Sequence, residues 1–353
     1  MLSSTFQHPL IKKVSQKLIP LHCLFELTYK CNLKCIHCYI VKSKKRELNK
    51  LGVFKILEQL KKLGCLYLTL TGGEIFVRKD FFEIAEYARR LNFAIRLFTN
   101  GALINKEIAN KIRDLKPISI EISLYGFRDT HEKVTRVKGS FDKTVTAIKL
   151  LRERNTKVFV KAIIMRQNID EIWELIRFVE NDLNVTWRGT DSRLLLFPCD
   201  DGDRRPLSYR LTDGQLREYM KEELKQLRFF GGGFKPKKAK DNEVLCGAGL
   251  MSCNISPYGE INPCAQIRLK KDNNLKNKSF MEIWKVNDEI KRLRSLRMKD
   301  RKDCWDCELI SYCFVCPGIA LSECGSLLAK LPEACRQARI RKEVYEENCT
   351  YHE

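Results

Sequence analysis

The sequence lacks several features that mark common protein classes. No uninterrupted apolar run approaches the ~20 residues needed to cross a bilayer, so a membrane protein is not indicated. The first twenty residues lack a signal peptide's order of basic start, apolar run and small-residue cleavage site. No Rossmann glycine fingerprint follows the first predicted strand. We therefore expect a cytoplasmic protein with no membrane partner.

Cysteine, in contrast, is abundant: the 353 residues contain 16. A small secreted domain would use them as disulfides, but a long chain without an export signal more often uses them as metal ligands or catalytic thiolates. Ten of the cysteines lie at or beyond residue 246, several of them in Cys-x-x-Cys pairs. This placement favours metal chemistry.

The formal net charge is +21. Three iron–sulfur clusters with their thiolates would lower it by roughly five units and still leave a basic surface. Such a surface fits an acidic peptide, an acidic electron-donor protein or nucleic acid, or merely aids solubility. The densest basic run, residues 291–302, has no interleaved aromatic residues to stack on bases, so nucleic acid is disfavoured.

Short apolar runs alternate with amphipathic stretches from residue 21 to about 200, which predicts parallel strands with right-handed crossovers. The alternation gives six units, fewer than the eight of a closed barrel. We expect an α/β fold, a partial (β/α)6 barrel. The predicted strands are "LFELT", "LYLTL", "FAIRLF", "ISIEISL", "VFVKAII" and "VTWRGTDSRLLL", and the predicted helices lie at about 50–63, 80–91, 105–115, 140–154 and 170–183.

The strand "ISIEISL" predicts a polar barrel interior. Ser119, Glu121 and Ser123 alternate with isoleucines, so one face is polar and the other apolar. If the apolar face packs on the outer helices, the polar face lines the inside with Thr28, Thr69 and Lys161. An edge strand facing water is the alternative. The phase of the strands predicts only that the interior includes Glu26, Glu121 and Lys161. The sequence identifies no catalytic acid or base.

The C-terminal third differs in composition. A predicted helix at about 212–226 is followed by "FFGGGFKPKKAK", a glycine- and lysine-rich linker, and then by dense cysteines. We expect an N-terminal extension at 1–20, the partial barrel at 21–200, a helix and linker at 201–240, and a small cysteine-rich domain at 241–345.

Three cysteines, Cys31, Cys35 and Cys38, form one compact loop directly after the first strand, and no fourth ligand follows at ligand spacing. Structural zinc prefers four ligands, usually as two Cys-x-x-Cys pairs. A cubane iron–sulfur cluster could instead take three thiolates from such a loop and keep one iron open. His37 is a weaker candidate for the fourth ligand than for packing or hydrogen bonding, because it neighbours Cys38 in a tight loop.

Three motifs in order resemble the radical S-adenosylmethionine (radical SAM) enzymes: the cysteine triple after strand one, "TGGE" (71–74) after strand two and "TNG" (99–101) after strand three. The resemblance implies that S-adenosylmethionine chelates the open iron of a [4Fe-4S] cluster and yields a 5′-deoxyadenosyl radical on reduction. It implies that Thr71, Gly72, Gly73 and Glu74 hold the methionine amine. It also implies that Asn100 and Ser123 lie near the ribose, and His37 and Tyr39 near the adenine.

The later cysteines are similar in spacing to the SPASM subgroup of that family, which implies two auxiliary [4Fe-4S] clusters and three clusters in all. The resemblance assigns Cys246, Cys253, Cys264 and Cys316 to the first auxiliary cluster, and Cys304, Cys307, Cys313 and Cys335 to the second. Two structural zinc sites are the alternative from spacing alone. Cys324 could replace Cys335, and Cys23, Cys65, Cys199 and Cys349 are expected to be ordinary thiols.

Two positions depart from the family pattern: Ile75 stands where proline is usual, and Tyr125 where many members have aspartate, which puts one ribose contact in doubt. The stretch at 123–141 resembles members that make thioether or carbon–carbon cross-links in peptides. We therefore expect a peptide substrate and a flavodoxin- or ferredoxin-like electron donor. The residues before the first strand are too few for the peptide-recognition domain of some members, so a leader peptide would use a separate carrier or the basic surface.

Two other functions remain open from the sequence. One is radical SAM oxidation or decarboxylation of a small molecule such as a tetrapyrrole. The other is a nonenzymatic metal-binding or nucleic-acid-binding protein.

Overall fold

The computed structural model describes residues 9–41, 43–188, 194, 196–229 and 241–349. Outside these ranges lie residues 1–8, part of the predicted sixth strand, and residues 230–240 of the lysine-rich linker. The predicted domain boundary in that linker therefore stays a prediction. None of the described helices is both long and apolar enough to cross a membrane.

Within the described residues, eight strands form one open sheet in the order β6-β5-β4-β3-β2-β1-β7-β8. The first six are parallel to their neighbours, which confirms the partial (β/α)6 barrel. The strands are β1 (His22–Thr28), β2 (Tyr67–Gly72), β3 (Ala94–Thr99), β4 (Ser119–Ser123), β5 (Val158–Lys161), β6 (Thr186–Trp187), β7 (Ser252–Ile255) and β8 (Ile261–Asn262).

Helices cover the outer side of the sheet, and further helices occur in the C-terminal region. All six helical stretches predicted from the sequence are confirmed, although the one at 170–183 ends in a π-helical turn, Phe178–Asp182. The helices are α1 (Pro9–Gln16), α2 (Lys50–Lys62), α3 (Phe81–Arg90), α4 (Lys106–Leu115), α5 (Arg128–Thr135), α6 (Ser140–Arg152), α7 (Ile172–Arg177), α8 (Asp213–Phe229), α9 (Phe280–Val286), α10 (Asp288–Ser295), α11 (Lys302–Trp305), α12 (Pro317–Cys324) and α13 (Pro332–Cys349).

Local sequence explains where the barrel helices begin. Asn49 caps α2 by accepting a hydrogen bond from the Gly52 amide, and Asn105 caps α4 through the Ile108 amide. The apolar residues of α2 recur at helical spacing and are buried, so that one stripe of the helix packs on the core. These residues are Val53, Ile56, Leu57 and Leu60.

The inner face of the sheet is polar, as predicted. Glu121 is buried and forms ion pairs with Lys161 at 3.1 Å, Arg96 at 3.4 Å and Arg188 at 3.5 Å. On neighbouring strands, the hydroxyl of Thr69 and the imidazole of His22 are hydrogen-bonded at 2.9 Å. Side chains that alternate with these along the strands are apolar and buried beneath the helices.

The cysteine-rich region continues the barrel sheet, which sequence reasoning did not predict. β7 lies parallel to β1, and β8 pairs with β7 in the antiparallel direction. Asn254 of β7 donates a hydrogen bond to the Glu26 carboxylate of β1 at 3.0 Å. The C-terminal region therefore adds two strands at the β1 edge.

Candidate functional site

The cysteine loop follows the carboxyl end of β1, where ligands of parallel sheets bind. Two backbone hydrogen bonds attach it to α5: the Lys34 amide donates to the Thr135 carbonyl, and the Ile36 amide to the Val134 carbonyl, each at 3.0 Å. Sequence reasoning missed α5, an eight-residue helix. The helix fixes the path of the loop from outside.

The three sulfurs of this loop lie within electrostatic reach of one another. Burial, together with the neighbouring thiols of Cys38 and Cys31, raises the pKa of the Cys35 thiol to about 12. The Leu33 amide donates to the Cys31 sulfur at 3.4 Å, and the Ile40 amide approaches the Cys38 sulfur. Both contacts stabilise a thiolate, the form that binds iron. The donor set therefore fits a cluster.

The "GGE" backbone packs directly against the end of β1. A Cβ atom on Gly72, whose φ is +147°, would lie 2.1 Å from the Thr28 carbonyl oxygen, and one on Gly73 would lie 2.4 Å from the Lys30 carbonyl oxygen. Only glycine allows this approach. Thr71 precedes them and is in register with Glu26. The two glycines thus bring the end of β2 against the residues that begin the cysteine loop.

Glu74 joins two of the predicted motifs. Its carboxylate accepts hydrogen bonds from the Thr99 hydroxyl at 2.8 Å and from the Asn100 amide at 2.8 Å, so both oxygens are engaged within the protein. Burial raises the pKa of Glu74, and these donors act in the opposite direction. The Asn100 side chain donates to the Cys31 sulfur at 3.8 Å and to the Asn32 side chain at 2.9 Å. A chain of contacts therefore connects β2, β3 and the first cysteine.

The remaining predicted cofactor residues surround the same loop. His37 is buried, its ring lies 4.7 Å from that of Tyr125, and its Nδ1 atom has no hydrogen-bond partner. Burial lowers the pKa of His37 to about 4, so the imidazole is neutral. Ser123 hydrogen-bonds to Tyr125, whose pKa is raised by burial and by the nearby Cys35. Tyr125 thus supports the cysteine loop.

The interior beside the loop contains a second charged network. Glu26 is fully buried and accepts hydrogen bonds from Tyr29 at 3.0 Å and from Tyr39 at 3.3 Å. Arg268 donates to the same carboxylate at 3.0 Å and also pairs with Asp200. No sequence signal pointed to Arg268. The network connects the cysteine loop to the C-terminal region.

The structure brings the later cysteines together in two groups. Cys264 lies near Cys246 and Cys316. Burial, together with these two thiols, raises the pKa of the Cys264 thiol to about 12. Cys313 lies near Cys335 and Cys304, and Cys307 lies near Cys335. These four cysteines form the second group. Among the described residues, no three His, Cys, Asp or Glu side chains converge on one point as a mononuclear zinc site requires.

Cys253 does not join the first group. It is buried in β7, in register with Cys23 of β1, and the two thiols are hydrogen-bonded. Cys65 lies beside them. The alternative ligand Cys324 is exposed in a cleft lined by Arg204, Arg210 and Arg336.

Of the other expected free thiols, Cys199 donates to the Cys38 carbonyl at 3.4 Å. The side chain of Cys349 is outside the part of the molecule that the structure describes.

Comparisons with known proteins match two family models. Residues 25–179 match the radical SAM superfamily, and residues 246–308 match SPASM, an iron–sulfur cluster-binding domain. Together the matches span more than half of the 353 residues.

Two curated relatives and one solved structure illustrate the likeness. The mycofactocin maturase MftC of Mycolicibacterium smegmatis is 29% identical over 290 residues, which cover 78% of this chain and 72% of that protein. The AdoMet-dependent heme synthase of Methanosarcina barkeri is 25% identical over 334 residues, 87% of this chain and 94% of that protein. Streptococcus suis SuiB, solved with its precursor peptide SuiA, superposes with a TM-score of 0.71 at 19% identity, covering 92% of this chain and 78% of that one. The last comparison shows a shared fold.

Proposed function

The chain belongs to the radical SAM superfamily and carries a SPASM domain, and from this premise we propose that it cross-links a ribosomally made peptide through a thioether or carbon–carbon bond. As a member of this superfamily the protein is an enzyme that uses S-adenosylmethionine and iron–sulfur clusters. One observation supports the reaction class above all: three thiols on one loop, with amide donors aimed at their sulfurs, at the carboxyl edge of the sheet.

Cys31, Cys35 and Cys38 hold the first cluster in this proposal. When bound there, the reduced cluster and S-adenosylmethionine supply a 5′-deoxyadenosyl radical that removes a hydrogen atom from an unactivated C–H bond. Asn100 orients the Cys31 sulfur, and Glu74 holds the Asn100 backbone in place. The glycine pair, Gly72 and Gly73, leaves the backbone free of side chains where the methionine part of the cofactor would bind.

The adenosine part would lie against residues that the fold keeps neutral. His37, with its pKa lowered to about 4, presents an uncharged ring with one free nitrogen. Tyr39 is fixed by its hydrogen bond to Glu26, and Ser123 by its bond to Tyr125. A neutral, rigid surface suits an adenine ring and its ribose.

We propose that the protein holds three [4Fe-4S] clusters, one for the cofactor and two auxiliary. The support is the division of the later cysteines into the groups around Cys264 and Cys313. The auxiliary clusters would accept the electron released when the substrate radical closes to product, or support the fold.

Charge and the open sheet support the substrate and partners proposed here. In this proposal an extended peptide would lie along the polar interior of the open sheet, where three cations surround Glu121. The likeness of the fold to SuiB, solved with a precursor peptide, supports a peptide substrate. The net charge of +21 supports an acidic flavodoxin- or ferredoxin-like donor, and a leader peptide would bind this basic surface or a separate carrier.

Decarboxylation or oxidation of a tetrapyrrole is the second candidate. The alignment with the heme synthase over 94% of that protein favours it. The cationic interior around Lys161 and Arg96 would then hold carboxylate side chains of the macrocycle.

The test uses the full chain, reconstituted anaerobically with iron and sulfide and reduced in the presence of S-adenosylmethionine. One arm contains the peptide encoded by a short reading frame beside the gene, and another contains an iron tetrapyrrole with propionate side chains. We expect mass spectrometry to show loss of two hydrogens from the peptide. Loss of carbon dioxide from the tetrapyrrole, with the peptide unchanged, would favour the second candidate.

The matched control is the variant with Cys31, Cys35 and Cys38 all replaced by alanine. It must cleave no S-adenosylmethionine. If it cleaves the cofactor as the unaltered protein does, the assignment of this loop is wrong.

A further inference from the structure

Arg301 is a buried arginine beside the second group of later cysteines. It directly precedes α11 and is 2% exposed. Its carbonyl accepts a hydrogen bond from the Cys304 amide at 2.8 Å, so one helical turn carries both residues. Its Nη2 atom donates to the Cys304 sulfur at 3.7 Å and to the Ala329 carbonyl, in the loop between α12 and α13, at 2.7 Å. The guanidinium group therefore lies against the first cysteine of this group.

The other two nitrogens of the guanidinium group have no partner. Within the part of the chain that the structure describes, Nε and Nη1 are buried without a hydrogen bond, and Arg301 forms no ion pair with a carboxylate. Burial of a cation is costly unless an anion and hydrogen-bond acceptors compensate for the lost water. Buried donors without partners are also rare in native proteins. These donors therefore fit an anionic group that the described residues do not supply.

The thiols of the second group lie within electrostatic reach of Arg301. The pKa of the Cys313 thiol is raised to about 11, mainly by burial, although the positive charge of Arg301 acts in the opposite direction. The pKa of Cys335 is likewise raised by burial and opposed by Arg301. A [4Fe-4S] cluster with four thiolates is net negative. A cluster held by this group would therefore provide the anion that the guanidinium group lacks.

A second buried arginine near Cys313 differs from Arg301 in its partners. Arg341 of α13 is 8% exposed and donates to the Tyr312 carbonyl at 2.6 Å. It also lies near the Glu223 carboxyl group of α8, whose pKa is raised by burial and lowered by Arg341. The charge of Arg341 is thus balanced by a carboxylate of the chain. Arg301 has no such carboxylate among the described residues, so its charge remains available to the cluster.

We propose that Arg301 donates hydrogen bonds to the sulfur atoms of the second auxiliary cluster and that its buried charge raises the reduction potential of this cluster. The inference rests on the proposed cluster content of the C-terminal region. Net charge and hydrogen bonds to sulfur are two properties that set such potentials. Reduction adds one electron, and with it one negative charge, to the cluster. No bond breaks and no proton moves, because the guanidinium group stays protonated.

A higher potential has a direct consequence for the proposed reaction. The substrate radical releases one electron when it closes to product, and a cluster beside Arg301 accepts that electron more readily. Arg301 touches neither the substrate nor the reacting atoms in this scheme. It acts through the cluster, by the charge that it places beside the thiolates.

The first test isolates the second auxiliary cluster in the full chain. In a variant with Cys31, Cys35, Cys38 and Cys246 all replaced by alanine, called here the one-cluster variant, only this cluster should remain after anaerobic reconstitution. A redox titration followed by electron paramagnetic resonance gives its midpoint potential. Addition of Arg301→Met should shift the reduction equilibrium about tenfold towards the oxidised form, or about 59 mV for one electron. Arg301→Lys keeps the charge and should retain most of the potential.

Arg294→Met is the matched control. Arg294 also has a buried guanidinium nitrogen without a hydrogen-bond partner among the described residues, but its side chain contacts the Gly249 carbonyl and the Trp284 ring instead of a cysteine. This substitution should leave the midpoint potential unchanged. Iron per chain and circular dichroism show whether each variant folds and carries its cluster.

The outcomes separate the inference from its premise. An unchanged potential in Arg301→Met with full iron overturns the proposed role. An equal fall in Arg301→Met and Arg301→Lys also overturns it, because loss of the Ala329 contact alone would then explain the effect. A one-cluster variant without any iron contradicts the proposed cluster content, and with it this inference.

The second test does not require Arg301→Met to keep its cluster. The one-cluster variant is produced with nitrogen-15-labelled arginine and reduced with dithionite, and electron–nuclear double resonance is recorded on the cluster signal. We expect a coupling to arginine nitrogen that is lost in Arg301→Lys and retained in Arg294→Lys. Absence of the coupling, or its persistence in Arg301→Lys, refutes the contact between Arg301 and the cluster.

Discussion

Arg268 donates a hydrogen bond to the Glu26 carboxylate at 3.0 Å, and this ion pair joins the cysteine-rich region to the first strand of the barrel. The Glu26 side chain is 1% exposed, while that of Arg268 is 26% exposed. A buried carboxylate needs such a partner because its desolvation is costly. The pair also contacts Tyr39 through Glu26, so the cysteine loop, the barrel and the C-terminal region share one polar network.

Replacement of Arg268 by methionine should destabilise the protein by about 3 kcal/mol, because it leaves the Glu26 charge buried without a cation. The double variant Glu26→Gln and Arg268→Met should recover part of this loss. Thermal unfolding of the reconstituted protein provides the measurement. Lys111→Met, which removes an exposed pair with Glu107 on α4, is the control and should leave the midpoint unchanged. An equal fall of the thermal midpoint in Arg268→Met and in Lys111→Met would contradict a special role for the buried pair.

The sequence was sufficient to predict the barrel because its local patterns agree with its tertiary structure. The alternation in "ISIEISL" placed Glu121 on the interior face with Lys161, and the two are 3.1 Å apart. The order of the cysteine, "TGGE" and "TNG" motifs predicted a common edge, and Glu74 bonds directly to Thr99 there. Period-two patterns and strand ends are properties of the local sequence, so a single sequence is enough to detect them.

The features that were missed depend on contacts between distant residues. β7 has only four residues, and it forms by pairing with β1 more than 200 positions earlier. The helix α5 carries few apolar residues, and the cysteine loop binds its last turn. Spacing alone cannot tell that Cys253 lies beside Cys23 in the core, because that placement is decided by the register of β7 on β1.

Thr99→Val should weaken binding of S-adenosylmethionine by about tenfold, because it removes a hydrogen bond to the buried Glu74 carboxylate that holds Asn100. Equilibrium dialysis with the reconstituted protein measures the affinity. Thr156→Val makes the same chemical change at a buried hydroxyl with no hydrogen-bond partner, and it should have no effect. Similar affinities for the two variants would show that Glu74 does not position the cofactor site.

Gly72→Ala should disrupt the same site through sterics. The added methyl group would lie 2.1 Å from the Thr28 carbonyl oxygen, and φ at Gly72 is +147°, a region unfavourable for alanine. We expect a destabilisation of at least about 2 kcal/mol and loss of detectable cofactor binding. Gly214→Ala, where a Cβ meets no atom within 4 Å, should keep both properties. Retained cofactor binding in Gly72→Ala would show that the backbone at this position can adopt another conformation without loss of the site.

His131 should make the protein less stable in mild acid. It is fully buried, its Nδ1 accepts a hydrogen bond from the Tyr125 amide, and burial lowers its pKa to about 4. Between pH 6.5 and 4 the unfolded chain therefore binds a proton that the folded protein excludes. The contribution of His131 to stability is complete above pH 6.5 and falls as the pH decreases, by about 2 kcal/mol at pH 5.

The variant His131→Asn keeps an acceptor for the Tyr125 amide but cannot gain the proton. Thermal midpoints of the reconstituted protein, measured from pH 7 to pH 5, should therefore fall less in this variant than in the unaltered protein. Parallel profiles would show that His131 is not the source of the acid sensitivity.

The last ligand of the second auxiliary cluster can be decided by comparing Cys335→Ala with Cys324→Ala. Cys335, in the first turns of α13, lies close to Cys304, Cys307 and Cys313, whereas Cys324 is exposed in a separate cleft at the end of α12. A cubane needs its thiolates around one volume, so only Cys335 is placed to complete the set. Cys335→Ala should lower the iron content or replace the four-iron signal by a three-iron signal in electron paramagnetic resonance. Cys324→Ala should leave both unchanged, and the reverse result would assign the ligand to Cys324.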